Sequence, residues 1–373
     1  MIIRSEEFKL ICSKILTAAE SNALSPVTDT VELRTENNYL YINVTNKEYF
    51  ASCKLDVGVV EPFHATVNAD LFLKLIAQIT TDTIELGIRD THLIIKANGT
   101  YKLPMIFSGE ELIELPKIEI QNPTTQFNID SNMLLSILQY NSKELTKGAI
   151  SKAVQKYYYI DAQGALTFTS STACVNNFML PQDIQFLLSD RIVKLFKLFK
   201  GENVVFTLGF DSLSDSITLT KVRFESETTC ITAIISCDDS MLRSVPASAI
   251  RDRANYEYPY SITVNKDAML QTINRLMLFA PKDTINLYGK CEFKRDCVVI
   301  YDLKGEMHEE VYYTGNTINN EYNAVLDFVT LKTTLESCNE PYINIHFGNG
   351  AAFVIARGTI KNIISEIQSM DMV

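Results

Sequence analysis

The sequence lacks the features that most often indicate catalysis or metal binding. It contains no tryptophan and only four histidines, and none of the histidines belongs to an H-E-x-x-H motif. Neither a G-x-S-x-G motif nor a phosphate-binding lysine loop is present. We therefore predict a non-enzymatic protein without cofactor or metal. The alternative is a nucleophile and a base brought together from distant segments, a pairing that no motif reveals.

Cysteine pairs and long apolar runs are also missing. The eight cysteines are scattered and none forms C-x-x-C, a pattern typical of small core residues in a reducing compartment. No run of about 18 apolar residues occurs, which predicts no transmembrane helix. The opening MIIRSEEFKL is charged and lacks the apolar core of a signal peptide. We expect a cytoplasmic protein.

Positive charge is in short supply. The chain has 34 Lys and Arg against 45 Asp and Glu, a net charge of −11 over 373 residues. Taken alone, this charge argues against a nucleic-acid partner, because phosphate contacts need cations. An acidic interaction protein is the simplest interpretation of composition alone.

The strongest pattern present is a threefold internal repeat. Three segments begin with a short alternating strand that runs into an amphipathic helix, with Ser5, Ser131 and Asn265 as candidate N-caps. The segments are IIRSEEFKLICSKILTAAE, FNIDSNMLLSILQYNSKEL and ITVNKDAMLQTINRLMLFA. A second cassette of strand, short helix and paired strands follows in each repeat: HATVNADLFLKLIAQI, IQFLLSDRIVKLFKLF and AVLDFVTLKTTLESC.

The repeat also predicts the secondary structure of a segment that is ambiguous by itself. IKNIISEI near the end of the chain could be a helix or a strand when considered by itself. LIIKANGTYKLPMIF matches FVIARGTIKNIISEI almost position by position, with Gly99 aligned to Gly358 at the turn. The alignment predicts that IKNIISEI is a strand.

These repeats resemble the bacterial-type DNA sliding clamp, the beta-subunit family of DNA polymerase III, over essentially the whole chain. The resemblance is carried by segment order, by the linker GEELIELP and by SMLRSVP before the third repeat. It implies an α+β fold of three tandem clamp domains, 1–122, 123–250 and 251–373, each with two helices packed on antiparallel sheets. In that family two chains close head to tail into a ring around double-stranded DNA, without reading its sequence. A divergent phage- or plasmid-encoded member in a host cytoplasm fits the same pattern.

The distribution of charge agrees with this resemblance. The six predicted helices together carry +4, which leaves −15 on the rest of the chain. In SDRIVKLFKLFK the cations recur every three residues opposite an apolar face. An ordinary solvated helix face is the alternative. The predicted DNA-facing residues are Arg191, Lys194, Lys197, Lys200, Lys143, Lys147, Lys266, Arg275 and Lys282, with Lys14, Lys74 and Lys332 as weaker candidates.

The resemblance also implies two protein interfaces. Polymerase and clamp loader would insert short hydrophobic peptides into a pocket formed by Thr169, Ser170, Ser171, Thr172, Cys174, Arg243, Ser244, Val245, Pro246, Ile363 and Ile364. The chain has Ser171-Thr172-Ala173 where the family commonly has a Gly-His-Arg turn, and SMDMV in place of a Met-Pro near the chain end. Both departures imply a reshaped pocket. Plain core and turn roles for these residues are the alternative.

For the homodimer, the last strand of the first repeat would meet the third repeat. The edge strand YKLPMIF would then be covered, which removes an aggregation hazard. The predicted interface residues are Met105, Ile106, Phe107, Met277, Leu278 and Phe279. The alternative function is a clamp-fold interaction or regulatory protein that does not encircle DNA.

Overall fold

The computed structural model describes residues 1–19, 27–145, 152–181, 184–214, 217–235, 239–280, 287–302 and 304–365. The chain divides into two compact units. The first unit comprises Met1–Leu135 with Arg191–Ser236, and the second comprises Ser136–Asp190 with Cys237–Val373. No helix within the described ranges is long and apolar enough to span a bilayer.

The described part of the first 136 residues forms a run of strands interrupted by three helices. In chain order the elements are β1 Ile2–Arg4, α1 Ser5–Leu16, β2 Thr30–Glu36, β3 Tyr39–Thr45, β4 Tyr49–Asp56, β5 His64–Asn68, α2 Ala69–Gln78, β6 Thr83–Arg89, β7 His92–Lys96, β8 Thr100–Pro104, β9 Phe107–Ser108, β10 Glu111–Leu112, β11 Asn122–Asp130 and α3 Ser131–Ser136.

The middle of the chain contains several short helical turns. They occur among α4 Ser142–Leu145, β12 Tyr157–Asp161, β13 Gly164–Phe168, β14 Thr172–Asn177, β15 Gln185–Ser189, α5 Asp190–Lys194, β16 Asn203–Ser214, β17 Ile217–Glu225, β18 Thr229–Ile235, α6 Asp239–Arg243 and α7 Ala247–Asn255. A π-helical turn lies at Ile137–Asn141, and 3₁₀ helices lie at Ala153–Lys156 and Leu195–Phe199.

The last third repeats the arrangement of the first. Its elements are β19 Tyr260–Asn265, α8 Lys266–Met277, β20 Tyr288–Phe293, β21 Cys297–Tyr301, β22 His308–Asn316, β23 Tyr322–Asp327, α9 Phe328–Glu336, β24 Tyr342–Phe347, β25 Ala352–Arg357 and β26 Ile360–Ser365. The strand predicted for IKNIISEI is confirmed by β26, which buries Ile360, Ile363 and Ile364.

Antiparallel sheets form the framework of both units. In the first unit the larger sheet has the order β11-β16-β17-β18-β4-β3-β2-β5, and a four-stranded sheet has the order β1-β6-β7-β8. In the second unit one sheet has the order β15-β12-β13-β14-β26-β25-β24-β19-β22-β21-β20-β23. Pairing of Thr229 with Cys53 and of Thr172 with Ile364 joins strands of different predicted repeats. The predicted domain boundaries stay a prediction, and residue 250 lies within α7.

The helix starts follow the predicted positions with one systematic difference. Asn265 is the N-cap of α8, where its side chain accepts a hydrogen bond from the Ala268 N–H at 2.9 Å. Ser5 and Ser131 are instead the first residues of their helices. Asp130 accepts from the Asn132 N–H at 2.8 Å, so a carboxylate stabilises the start of α3 where the serine was predicted to act.

Candidate functional site

The predicted cationic helix is a short α-helix followed by a 3₁₀ helix. Arg191, Lys194, Lys197 and Lys200 are all exposed, and every residue between them is buried. A 3₁₀ helix has three residues per turn, so side chains three apart lie one above another. Because the sequence repeats its lysines every three residues, the 3₁₀ geometry aligns Lys194, Lys197 and Lys200 in one row, which we call the lysine row.

An aromatic cluster holds the lysine row in place. The ring of Phe196 lies 5.0 Å from that of Phe224 on β17, and the ring of Phe199 lies 6.4 Å from it. All three phenylalanines are at most 1% exposed. Burial of each such side chain stabilises the fold by about 1.5–3 kcal/mol. The apolar face therefore fixes the segment on the sheet, and the cations face outward.

Ion pairing separates the candidate cations into two groups. Arg191 lies 3.6 Å from Glu48. Within the described part of the chain, Lys197 and Lys200 have no ion-pair partner. Their charges are therefore available to an external anion.

The other described candidates are partly neutralised. Lys266 is half-buried, 3.1 Å from Asp267, and donates to the Cys338 carbonyl at 3.3 Å. Arg275 donates to Glu309 through Nε at 2.8 Å and through Nη2, and this hydrogen bonding lowers the pKa of Glu309. Lys143 is half-buried in α4. Lys147 and Lys282 lie outside the described residues.

The three weaker candidates are also in ion pairs. Lys14 pairs with Glu202, which also accepts from the hydroxyl of Thr228. Lys74 lies 2.8 Å from Asp70, and Lys332 lies 3.9 Å from Glu336. Among the described candidates, positive charge available to a partner is therefore most evident at Lys197 and Lys200.

A second candidate site is a cleft of about 420 Å³ in the second unit. Six of the predicted pocket residues line it: Thr169, Ser170, Ser171, Thr172, Pro246 and Ile363. The structure also brings eight other residues to the cleft: Lys152, Gln155, Phe168, Ala173, Ala249, Ile250, Arg253 and Ser365. We call this the β13–β14 cleft.

One wall of the cleft is the tight turn between β13 and β14. The N–H of Thr169 donates to the Thr172 carbonyl at 2.8 Å. The Thr169 hydroxyl accepts from the N–H groups of Ser171 and Thr172 at 3.3 and 3.1 Å. Such hydroxyl-to-backbone bonds stabilise turns. The small Ser170 and Ser171 therefore sit on a rigid turn at the edge of the cleft.

Another wall is helix α7, which the repeats and motifs described above do not predict. Ala249, Ile250 and Arg253 of this helix line the cleft, and Arg253 follows Ile250 by three residues and Ala249 by four, the spacings that bring side chains together on a helix. The signal was present in the sequence: Ala247, Ile250 and Ala254 repeat at helical spacing after Pro246. The proline and the five charged or polar residues of α7 obscured it.

Five predicted pocket residues do not line the cleft. Cys174 and Ile364 are buried. The side chain of Asn141 donates a hydrogen bond to the carbonyl of Cys174 at 3.1 Å. Val245 belongs to the core cluster beneath the cleft. Arg243 and Ser244 are exposed at the end of α6. Because side chains alternate along a strand, Ile363 faces the cleft and Ile364 faces the other side of the sheet.

The predicted interface residues of the two units differ in their exposure to solvent. In the first unit β8 ends at Pro104, earlier than predicted, because the Ile106 N–H donates to Thr66 on β5 at 2.9 Å. Met105, Ile106 and Phe107 are half-buried. In the second unit Met277 is half-buried, whereas Leu278 and Phe279 are 79% and 56% exposed. Large exposed apolar side chains are typical of interaction sites.

Comparison with known proteins identifies the fold. No family model matches the chain. The beta sliding clamp of Mycoplasmopsis pulmonis is 28% identical over 146 residues, which cover 36% of this chain and 36% of that relative. The chain thus matches only about a third of the relative's length.

Solved structures match over nearly the full length. A Pseudomonas aeruginosa sliding clamp, the DNA polymerase III beta subunit, bound to griselimycin has a TM-score of 0.80 at 13% identity, with 99% of both chains covered. The Bacillus subtilis sliding clamp has a TM-score of 0.77 at 13% identity, covering 99% of this chain and 98% of that one. Over 99% of its length, this chain has the α+β fold of the bacterial-type sliding clamp, the beta subunit of DNA polymerase III.

Proposed function

We propose that this chain is a DNA sliding clamp, a non-catalytic processivity factor of the cytoplasm that encircles duplex DNA and tethers a polymerase. The lysine row is the observation that carries the proposal. It presents outward-facing cations on a chain whose net charge is −11 and whose fold is that of the clamp.

The chemistry of the row suits a sliding contact. Lys and Arg contacts to phosphates supply affinity that does not depend on sequence. Long lysine side chains on a short exposed segment can exchange one phosphate for the next. The row offers no arrangement of Asn, Gln or Arg side chains that would read base edges. Retention on DNA would then come from topology, and the cations would guide the duplex.

Two protein contacts complete the proposal. Two copies would close head to tail through Met105, Ile106 and Phe107 of one chain and Met277, Leu278 and Phe279 of the other. Polymerase and clamp loader would each place a short apolar peptide in the β13–β14 cleft. A cleft of about 420 Å³ is within the size range of sites that desolvate small ligands and side-chain anchors.

A salt challenge on circular DNA tests encirclement. The protein is bound to a nicked circle at low salt and then exposed to high salt, before and after a restriction enzyme opens the circle. High salt weakens binding through phosphates, whereas a closed ring stays on a closed circle and slides off a linear one. Equal release from both forms would instead favour a clamp-fold interaction protein that does not encircle DNA.

A further inference from the structure

The described lining of the β13–β14 cleft has a charge opposite to that of the whole chain. Its lining includes two cations, Lys152 and Arg253, and none of its described lining residues is an aspartate or glutamate. Both cations are exposed, and neither forms an ion pair with a described residue. On a chain of net charge −11, the described residues that line this small cleft carry +2, and such a charge favours partners of opposite charge.

The backbone at Lys152 is fixed by its neighbour. The Lys152 N–H donates to the side-chain oxygen of Gln155 at 2.9 Å, and the Gln155 N–H donates to the Lys152 carbonyl at 3.1 Å. Gln155 is only 3% exposed, so this reciprocal pair is anchored in the core. The side chain of Lys152 therefore extends from a backbone whose position at the cleft is fixed.

The second cation, Arg253, lies on helix α7, which is also held by hydrogen bonds. Arg251 donates two hydrogen bonds to Asp161, at 2.5 and 2.7 Å, and both side chains are largely buried. The hydroxyl of Tyr258 donates to the Arg253 carbonyl at 3.0 Å, and Lys361 donates to that of Ala254 at 3.0 Å. Arg253 thus projects from a helix whose position relative to the sheet is set.

Apolar residues line the cleft together with the two cations. Phe168, Ala173 and Ile363 are nearly fully buried beneath the cleft, and Ile250 and Pro246 form its accessible apolar side. An occupant can therefore place an apolar side chain in the cleft and still reach both cations. The wall of hydroxyls at 169–172 adds neutral hydrogen-bonding groups.

We propose that the partner segment entering this cleft is acidic, with carboxylates that face Lys152 and Arg253 on either side of an apolar anchor. The proposal rests on the proposed function of the cleft as a peptide site and specifies the partner's chemistry. The same cations would disfavour basic segments, because like charges placed together are repelled.

Two synthetic peptides test the charge preference. Both have a central pair of leucines, flanked by aspartates in one peptide and by asparagines in the other. The aspartate peptide is expected to bind about threefold to tenfold more tightly at low salt, since exposed charge pairs each contribute modestly. The difference should shrink as added salt shortens the screening length.

Three variants show where the preference arises. Lys152→Gln with Arg253→Gln should remove the difference between the peptides, whereas Lys156→Gln with Arg295→Gln, exposed cations outside the cleft, should preserve it. Ala249→Phe should block both peptides by filling the cleft from an exposed position on α7.

The outcomes separate the two claims. If Ala249→Phe blocks both peptides but these bind equally well to the wild type, the acidic preference is wrong and the peptide site stands. If Ala249→Phe changes neither affinity, the cleft is not the peptide site. A change in the protein's mass in light scattering after Lys152→Gln with Arg253→Gln would assign the cleft to a second copy of this chain and overturn the proposal.

Discussion

At the scale of single residues, a buried ion pair sets the shape of the cleft. Asp161 ends β12, and Arg251 reaches it from α7 with side chains 15% and 10% exposed. Breaking such a pair leaves one charge buried without a partner, which is costly. The position of α7, and with it one wall of the β13–β14 cleft, therefore depends on this contact.

Arg251→Ala is expected to lower the free energy of unfolding of the second unit by about 3–5 kcal/mol, because Asp161 would stay buried and unpaired. Urea denaturation followed by circular dichroism measures the change. Arg295→Ala, which removes an exposed arginine, should stay within about 0.5 kcal/mol of the wild type. Similar midpoints for the two variants would show that the Arg251 pair is not structurally important.

Buried thiols are expected to lower the stability of the folded protein at alkaline pH. Burial raises the pKa of Cys53 to about 11 and that of Cys291 to about 12. An unfolded chain loses these protons above about pH 8.5, whereas the folded chain keeps them. Between about pH 9 and 11 the unfolded state therefore binds fewer protons, and stability must fall as pH rises.

Each such thiol contributes a slope of at most about 1.4 kcal/mol per pH unit in this range. Cys291→Ala should therefore show a shallower decline of stability from about pH 9 to pH 11 than the wild type, whatever its stability at neutral pH. Urea midpoints at several pH values measure both slopes. Parallel slopes would mean that Cys291 has an ordinary pKa in the folded protein.

At the scale of elements, the strands and helices that belong to the internal repeat can be predicted from the sequence, whereas the segments that connect them cannot. β26 could be assigned because its counterpart in the first repeat has the same turn and the same apolar pattern. The lysine row could be found because buried and exposed residues alternate with a fixed period. Six of the fourteen lining residues of the cleft were predicted.

The remaining lining residues come mostly from elements without a repeat counterpart. α7 has few apolar residues and lies between prolines, so its composition resembles that of a linker. Lys152 and Gln155 belong to a 3₁₀ turn of four residues and its N-cap, too short to show a period. The hydrogen bonds of Arg251 and Gln155, which hold these elements in place, depend on tertiary geometry that sequence spacing does not encode.

The lysine row gives the prediction that belongs to this scale. Lys197→Glu with Lys200→Glu should weaken binding to DNA and reduce the slope of log affinity against log salt by about 0.9 for each phosphate that is no longer neutralised. Titration of a fluorescent duplex at several salt concentrations measures both effects. Lys102→Glu with Lys117→Glu changes the net charge equally at exposed positions outside the row. If both double variants bind DNA equally weakly, the row has no special role in binding DNA.

At the scale of the whole molecule, function depends on assembly. β8 and β23 are the terminal strands of their sheets. Terminal strands carry unpaired backbone groups that another chain can cover. Leu278 and Phe279 add exposed apolar surface at the end of α8. A head-to-tail dimer would cover the terminal strands and bury this apolar surface.

Light scattering should therefore give twice the 42.1 kDa of one chain. Leu278→Asp with Phe279→Asp should reduce the mass to that of one chain, because the charges would have to be buried in the interface. Met179→Asp, a change at another exposed apolar residue, should leave the dimer intact. A dimer that survives the double change would place the interface elsewhere.

Encirclement of DNA is the central claim, and electron microscopy of the protein mixed with a short duplex tests it most directly. The account predicts a closed ring of two chains with one duplex passing through its hole. Particles in which the DNA lies against an outer surface, or in which the protein forms no closed ring, would contradict it.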